Sequence, residues 1–339
     1  MMKVLVTGGA GFIGSHAVVL LHEAGYEPII VDNLSNSRKS VLEGLKKITG
    51  KDIQFYEIDC CNEEELDKVF KKEKINEVIH FAAYKSVRES VENPLKYYQN
   101  NVFSLISLIR AMKRNNVGNL VFSSSCTVYG IPKKIPVTEE EEIKPANCPY
   151  GATKQICEEI IKNSVISGDL KKAVLLRYFN PIGAHPSGLI GELPLGEPAN
   201  IVPRLTQNAA GILKKIIIFG DDYETEDGTG IRDYIHVMDL ADSHIKSFEY
   251  MGKNSNDLGI FNIGIGKGVS VMELIKSFEK TNEKKIEYEM GKRREGDVPE
   301  IYADVSKAER EMGWKAELSI EDALRNAWKW QENLGKSLI

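Results

Sequence analysis

The sequence lacks most of the residues that would staple, tether or metallate a fold. Five cysteines, an odd number with Cys60 and Cys61 adjacent, make no disulfide framework. Six scattered histidines show no metal-ligand spacing, so no metal is expected. No apolar run reaches the roughly 18–20 residues that cross a bilayer. There is no basic excess either: 44 Lys and Arg against 49 Asp and Glu leave a formal charge of −5. That balance argues against a nucleic-acid partner, while leaving room for a local basic pocket that holds an anion. Met1-Met2-Lys3 runs directly into a strand-like segment without a signal-peptide pattern. Internal repeats and low-complexity tracts are missing as well. The expectation is a cytoplasmic globular protein with no membrane contact, its 339 residues holding one large or two ordinary domains.

What is present begins at the N-terminus. Val4-Leu5-Val6 is a short buried-strand pattern, followed at once by Thr7-Gly8-Gly9-Ala10-Gly11-Phe12-Ile13-Gly14. A helix carrying Val18, Leu20 and Leu21 stops near Gly25, and a second strand, Pro28 to Asp32, ends in an acid. Gly9, Gly11 and Gly14 fit G-x-G-x-x-G; Gly8, Gly11 and Gly14 fit a three-residue spacing of the same kind. Both spacings serve a tight turn, close approach of backbone to a pyrophosphate, and an anion on a helix N-terminus. Asp32 lies 18 residues past Gly14, where a carboxylate binds a ribose 2′-hydroxyl and repels a 2′-phosphate. Strand, glycines, helix, strand and acid together indicate a dinucleotide site that favours NAD over NADP.

The alternation continues. A strand through Ile53, Phe55 and Ile58 ends at Asp59, and Asn62 with Glu65 opens a helix in the manner of a capping box. Val78 to Ala83 reads as a strand, with His80 a core residue; Val102, Leu105, Ile106, Ile109 and Met112 form a helical stripe. Strands follow at Leu120–Phe122 and Ala173–Tyr178. Such alternation predicts an α/β fold, a Rossmann-type doubly wound parallel sheet with ligands at the strands' carboxyl ends. Asp32, Asp59, Ala82, Ser123 to Ser125 and Tyr178 all fall at those ends. Between Pro181 and Pro203 the chain carries five prolines and four glycines. The predicted division is therefore 1–180, an NAD-binding domain, and 181–339, a smaller α/β substrate domain.

The chemistry centres on Val121 to Lys154. Three serines, Ser123 to Ser125, close the strand pattern, and Tyr150 and Lys154 stand four apart on a helix, with Cβ atoms about 5–6 Å apart. An ammonium beside a phenol favours the phenolate, and such a pair moves a proton at a sugar-like hydroxyl when something else takes the hydride. Tyr-x-x-x-Lys alone is a common helix-surface pair; the glycine loop gives it weight.

Thr7–Gly14 with Tyr150 and Lys154 resembles the extended short-chain dehydrogenase family. Phe122–Gly130, Leu176–Pro181, Gly183–Pro186, Thr225–Gly230, Arg232–Val237 and Arg294–Asp297 are similar to the UDP-glucose 4-epimerases within it. The resemblance covers essentially the whole chain. It implies that Tyr150 is the general base on the sugar 4-hydroxyl, Lys154 its tuner and a ribose ligand, and Ser125 the hydroxyl on the reacting oxygen, supported by Thr127. It implies an NAD site of Gly8, Gly11, Phe12, Ile13, Gly14, Asp32, Asn33, Asn36, Ser37, Asp59, Cys60, Phe81, Lys85, Asn100 and Tyr178, shared with Ser125, Tyr150 and Lys154. Asn180, Asn200, Ile201, Phe219, Arg232, Arg294, Asp297 and Ile301 would hold UDP-glucose or UDP-galactose. The implied reaction oxidises C4, turns the tethered 4-ketose over and reduces it on the other face. A homodimer through the 102–112 and 150–166 helices is implied too.

One departure concerns Ile301, where the resembling enzymes carry a tyrosine that excludes N-acetylated sugars or a small residue that admits them. Isoleucine leaves substrate breadth open. The nearest rival is a nucleotide-sugar dehydratase, which places an Asp-Glu pair where this chain has Cys126-Thr127. A catalytically silent NAD-sensing scaffold would not need Ser125, Tyr150 and Lys154 together.

Overall fold

A computed structural model describes residues 1–294 and 297–336. Glu295 and Gly296 of the Arg294–Asp297 stretch lie outside the described residues. Strands β1 (Lys3–Thr7), β2 (Glu27–Asp32), β3 (Gln54–Glu57), β4 (Glu77–His80), β5 (Asn119–Ser125) and β6 (Lys172–Tyr178) line up in the order β3-β2-β1-β4-β5-β6. Every pairing is parallel. This is the doubly wound sheet that the alternation predicts. Its reversal point lies between β1 and β4, where a crevice opens at the carboxyl ends.

Alternation along β1 assigns the two faces. Val4 and Val6 point into one core with Val18, Leu21, Ile79 and Leu176. Leu5 points into the other with Leu66, Phe70, Leu105, Met112 and Ile161. Helices α1 (Phe12–Glu23), α2 (Ser40–Thr49), α3 (Glu63–Glu73), the short α4 (Val87–Glu92) and α5 (Pro94–Tyr97), α6 (Phe103–Arg114) and α7 (Pro149–Ile166) cover the sheet. Asn62 caps α3, its side chain accepting the Glu65 amide. His80 is buried, bonded to the Thr7 hydroxyl at 2.7 Å and stacked on Phe122, a core residue as its sequence position suggests.

One expectation needs correction. The strand expected to end at Phe122 continues through the serines, because Ser123, Ser124 and Ser125 pair with Leu176, Arg177 and Tyr178. Past residue 180 the chain leaves the large sheet and later rejoins it. After β7 (Asn180–Ile182), α8 (Ile201–Ala209), β8 (Ile216–Phe219), β9 (Ile231–Arg232) and β10 (Tyr234–His236), it returns to the large sheet. Helix α9 (Val237–Lys253) packs on α1, and β11 (Leu258–Ile263) adds a seventh parallel strand beside β6. Phe261 and Ile263 are apolar enough to share the sheet's core, so β6 is not left as an edge.

The remaining elements form the smaller unit: β12 (Val269–Ser270), α10 (Val271–Asn282), β13 (Tyr288–Gly291), β14 (Glu300–Ile301) and α11 (Ile320–Lys336). Its core joins Leu205, Ile216, Ile218, Leu274, Phe278 and Leu324. Its strands make two- and three-stranded sheets from distant segments, β13 with β8 and β12-β9-β14. No described helix is long and apolar enough to cross a membrane.

Candidate active site

The glycine loop joins β1 to α1. Gly8 adopts φ 71°, which a side chain resists, and donates its N–H to the Val31 carbonyl at 2.8 Å. A Cβ on Gly14 would strike the Gly8 carbonyl, so the first turn of α1 packs directly on the loop. Gly11 is the N-cap and offers no side chain, which leaves the first amides of α1 for an anion. Asp32 closes the loop from β2: its carboxylate accepts Ala10 N at 3.1 Å, Leu34 N at 2.9 Å and the Ser37 hydroxyl at 2.9 Å. Asn33 donates to Asp59 at 3.1 Å, linking the ends of β2 and β3. Buried Cys60 follows Asp59, and exposed Asn36 stands in the β2 loop. Phe12 and Ile13 enter the first turn of α1, and Phe81 packs on His244 with centroids 4.7 Å apart. These residues fit a dinucleotide: open helix amides for the diphosphate and a carboxylate at the ribose end.

The proton machinery lies at the carboxyl ends of β5 and β6. Pro149 opens α7, and Cys148 caps it by accepting the Gly151 amide at 3.4 Å. That start sets Tyr150 beside the end of β5, where the Ser125 hydroxyl works to lower its phenol against burial. Lys154 is buried and donates to the Ser123 carbonyl at 2.5 Å; its ammonium stands 6.0 Å from the Tyr150 ring centre and 4.7 Å from that of Phe122. Thr127 Oγ1 is buried and has no partner among the described residues, a hydroxyl free to meet an incoming oxygen. Tyr178 sits alongside, its phenol bonded to His244.

Lys154 alone does not make the tyrosine acidic here. Burial raises Tyr150 above the ordinary phenol value, opposed by the Ser125 bond. Burial also lowers Lys154 to about 8, with Cys157 and Glu158 pulling it back up. Desolvation outweighs one ammonium whose nearest contact is a carbonyl.

Across the crevice, a cleft is lined by Asn180, Asn200, Ile201, Phe219, Arg232, Arg294 and Asp297. Seven residues separated by up to 117 positions meet there, as the resemblance implies. Asp297 lies 2.9 Å from Arg294 and 3.7 Å from Arg232, and the Arg294 guanidinium lies over Phe219 at 5.1 Å. Ile301 is not on this lining. It pairs with Arg232 across β14 and β9 and packs with Val128, Tyr129 and Phe179 beside Cys126. The Cys126 thiol is pushed up by burial to about 12 and is no acid–base pair with Thr127.

Two participants escape sequence reasoning. Glu192 accepts Lys85 at 3.0 Å and Asn200 at 2.6 Å, bridging the two ligand ends from inside a Pro/Gly-rich loop that carries no signal. Tyr223, also on the cleft, has a buried hydroxyl without a partner among the described residues. Asn100 contributes its carbonyl to Cys61 and its amide to Asn101 at 3.0 Å, so its side chain is engaged within the fold.

The profile of the family described as GDP-mannose 4,6 dehydratase matches residues 5–327. The UDP-glucose 4-epimerase of Bacillus subtilis (strain 168) is 48% identical over 332 residues, 98% of this chain and 97% of that protein. The chain belongs to the UDP-glucose 4-epimerase family. Among solved structures, the UDP-glucose-4-epimerase of Stenotrophomonas maltophila, with bound NAD and formylated UDP-arabinopyranose, superposes with a TM-score of 0.96. It is 44% identical, and the match covers 99% of this chain and 100% of that one. The Bifidobacterium longum enzyme, in complex with NAD+ and UDP, gives 0.95 at 46% identity, covering 98% of each chain. This family member is an enzyme with the α/β architecture of those structures.

Proposed function

We propose that the enzyme interconverts UDP-galactose and UDP-glucose at C4 of the hexose, using NAD held at the glycine loop. The observation that carries this reading is the gathering of Ser125, Tyr150 and Lys154 at the carboxyl end of β5, in a fold whose separate cleft gathers Arg232 and Arg294. NAD, held by the glycine loop and Asp32, would supply the hydride acceptor and donor for C4. Tyr150 takes the 4-hydroxyl proton and gives it back; Ser125 holds the reacting oxygen, and Thr127 offers a second hydroxyl to it. Lys154 sets the charge beside the phenol and reaches the ribose. Asn180, Asn200, Ile201, Phe219, Arg232, Arg294 and Asp297 hold UDP while the 4-keto sugar turns over. Gly8, Gly11, Gly14, Asp32 and Asn33 hold the dinucleotide, with Asp59, Lys85 and Tyr178 around it.

The dehydratase reading is less well supported, because the position it needs for an acid and base holds a neutral thiol and a threonine. We further propose a homodimer. On and around α6 and α7, Leu95, Phe103 and Ile166 are 80%, 59% and 83% exposed, apolar side chains that a second copy would cover. The free cysteines suit a reducing cytoplasm. Domain assignment follows the ligands: residues 1–180 with the returning 237–263 hold NAD, and the rest of 181–339 holds UDP-sugar.

The test is a coupled assay that follows UDP-glucose appearance from UDP-galactose, with product analysis for a 4-keto-6-deoxy sugar. Epimer without deoxy product is expected; deoxy product alone would overturn the reading. Sedimentation would show the dimer, and Phe103→Glu should dissociate it.

A further inference from the structure

We propose that the buried Glu158–Arg177 ion pair, with Ser124 and Tyr129 bonded into it, is the positioning device that fixes Tyr150, Lys154, Ser125 and Thr127 relative to one another. The proposal rests on the epimerase reading and deepens it. Glu158 and Arg177 are each 2% exposed. Glu158 Oε1 accepts the Ser124 hydroxyl at 2.6 Å and Arg177 Nε at 2.9 Å; Oε2 accepts Arg177 Nη2 at 2.7 Å. Arg177 Nη1 donates to the Tyr129 hydroxyl at 3.0 Å, and its guanidinium lies 4.8 Å over that ring. The Tyr129 hydroxyl donates to Asn262 at 2.7 Å, and Asn262 donates to the Val137 carbonyl at 2.8 Å.

Each member is a chain neighbour of a group the reaction uses. Ser124 lies between Ser123, whose carbonyl holds Lys154, and Ser125, whose hydroxyl acts on the Tyr150 phenol. Glu158 is one turn beyond Lys154 and two beyond Tyr150 on the same face of α7. Arg177 precedes Tyr178, and Tyr129 shares a short 3-10 turn with Thr127. One network therefore pins α7, β5, β6, β11 and that turn. Apolar contacts beneath α7, such as Cys157 and Ile161 against the sheet, are non-directional and tolerate sliding. Well-aligned hydrogen bonds do not. A buried ion pair is a poor stabiliser compared with apolar residues of the same volume, so stability alone gives little reason to keep one here.

The network also bears on charge. The groups facing Lys154 are Tyr150, Cys157 and Glu158 of α7, His80 of β4, and the Phe122 ring and Ser123 carbonyl of β5. His80 is held neutral by burial, lowered to about 3. Glu158 is the carboxylate that opposes the lowering of Lys154. Without its charge, Lys154 would lose an anion and face an uncompensated Arg177.

Two variants test this. E158Q keeps an acceptor for Ser124 but removes the charge; S124A removes only the link to β5. In E158Q the alkaline limb of kcat on UDP-galactose should move to lower pH by about one unit. In S124A kcat should fall about 10-fold, with KM and NAD content unchanged and S124T restoring part of the loss. A cofactor-free readout exists as well. Lys154 near 8 when folded and 10.5 when unfolded makes stability rise with pH across that window. In E158Q that rise, read from urea midpoints, should begin at lower pH. A wild-type alkaline limb and wild-type urea profile in E158Q, or wild-type kcat in S124A, would overturn the positioning role. If E158Q fails to fold, the S124A result decides. Failure of the underlying reading looks different: the wild-type enzyme itself would not turn over UDP-galactose.

Discussion

At the cofactor end the polar groups come from one neighbourhood of chain and are satisfied largely by backbone; at the nucleotide end they come from distant segments and satisfy one another. Asp32 takes two amides and a hydroxyl from residues 10 to 37. Arg232 and Arg294 share Asp297, and Asn200 donates to Glu192, which also takes Lys85 from the cofactor end. The first arrangement is rigid before any ligand arrives. The second is made of partly exposed ion pairs, worth about 0–1 kcal/mol each, so a diphosphate can take over the arginines at little cost. The comparison teaches how the two regions differ in preorganisation: one is fixed by its own backbone, and the other is held by exchangeable side chains that suit a ligand that comes and goes.

The sharpest test lies between the two ends. Tyr150→Phe removes only the proton path and should lower kcat by roughly 10²–10⁴-fold. NAD content and UDP affinity should stay at wild-type levels, as measured by absorbance and calorimetry. Comparable loss of cofactor would make Tyr150 structural.

Arg232→Met addresses the nucleotide end alone. Losing a charged hydrogen bond costs about 1.5–3 kcal/mol, so UDP should bind roughly 10–150-fold more weakly while NAD is retained. If NAD is lost too, the two ends are not independent and the contrast fails.

Ile301 comes next. It packs beside Cys126, the residue after Ser125, which is the ground for expecting it to bound the sugar rather than uridine. Pocket differences of this kind are worth about 1–3 kcal/mol. UDP-glucose and UDP-galactose should be preferred, with slow turnover of the N-acetylated pair. Ile301→Gly should raise the N-acetyl rate, and Ile301→Tyr should remove it while sparing UDP-galactose. Equal wild-type rates on both pairs would move the wall elsewhere.

The smallest effect is expected of Asp32→Ala. Discrimination against NADP should weaken by about 10-fold, the scale of one charge-assisted hydrogen bond. Unchanged rejection of NADP in cofactor-binding titrations would assign the 2′-position to another residue.

Local pattern determined a great deal about this protein. The alternation of Val4, Leu5 and Val6 states which side of each faces which core, because side chains on a strand have period two. Gly8 to Gly14 and Asp32 specify a turn whose backbone geometry few residues other than glycine allow. Tyr150 and Lys154 share a helix face by spacing alone. All of these rest on residues close in sequence, where backbone geometry relates position to direction. Tertiary structure decided the rest. β11 reads as any short strand until β6 needs a neighbour, 80 residues away. Glu192 and Tyr223 acquire meaning only when separate loops converge on one cleft. At Tyr150 burial opposes the neighbouring lysine, and burial is a property of everything packed around a residue rather than of its neighbours in the chain.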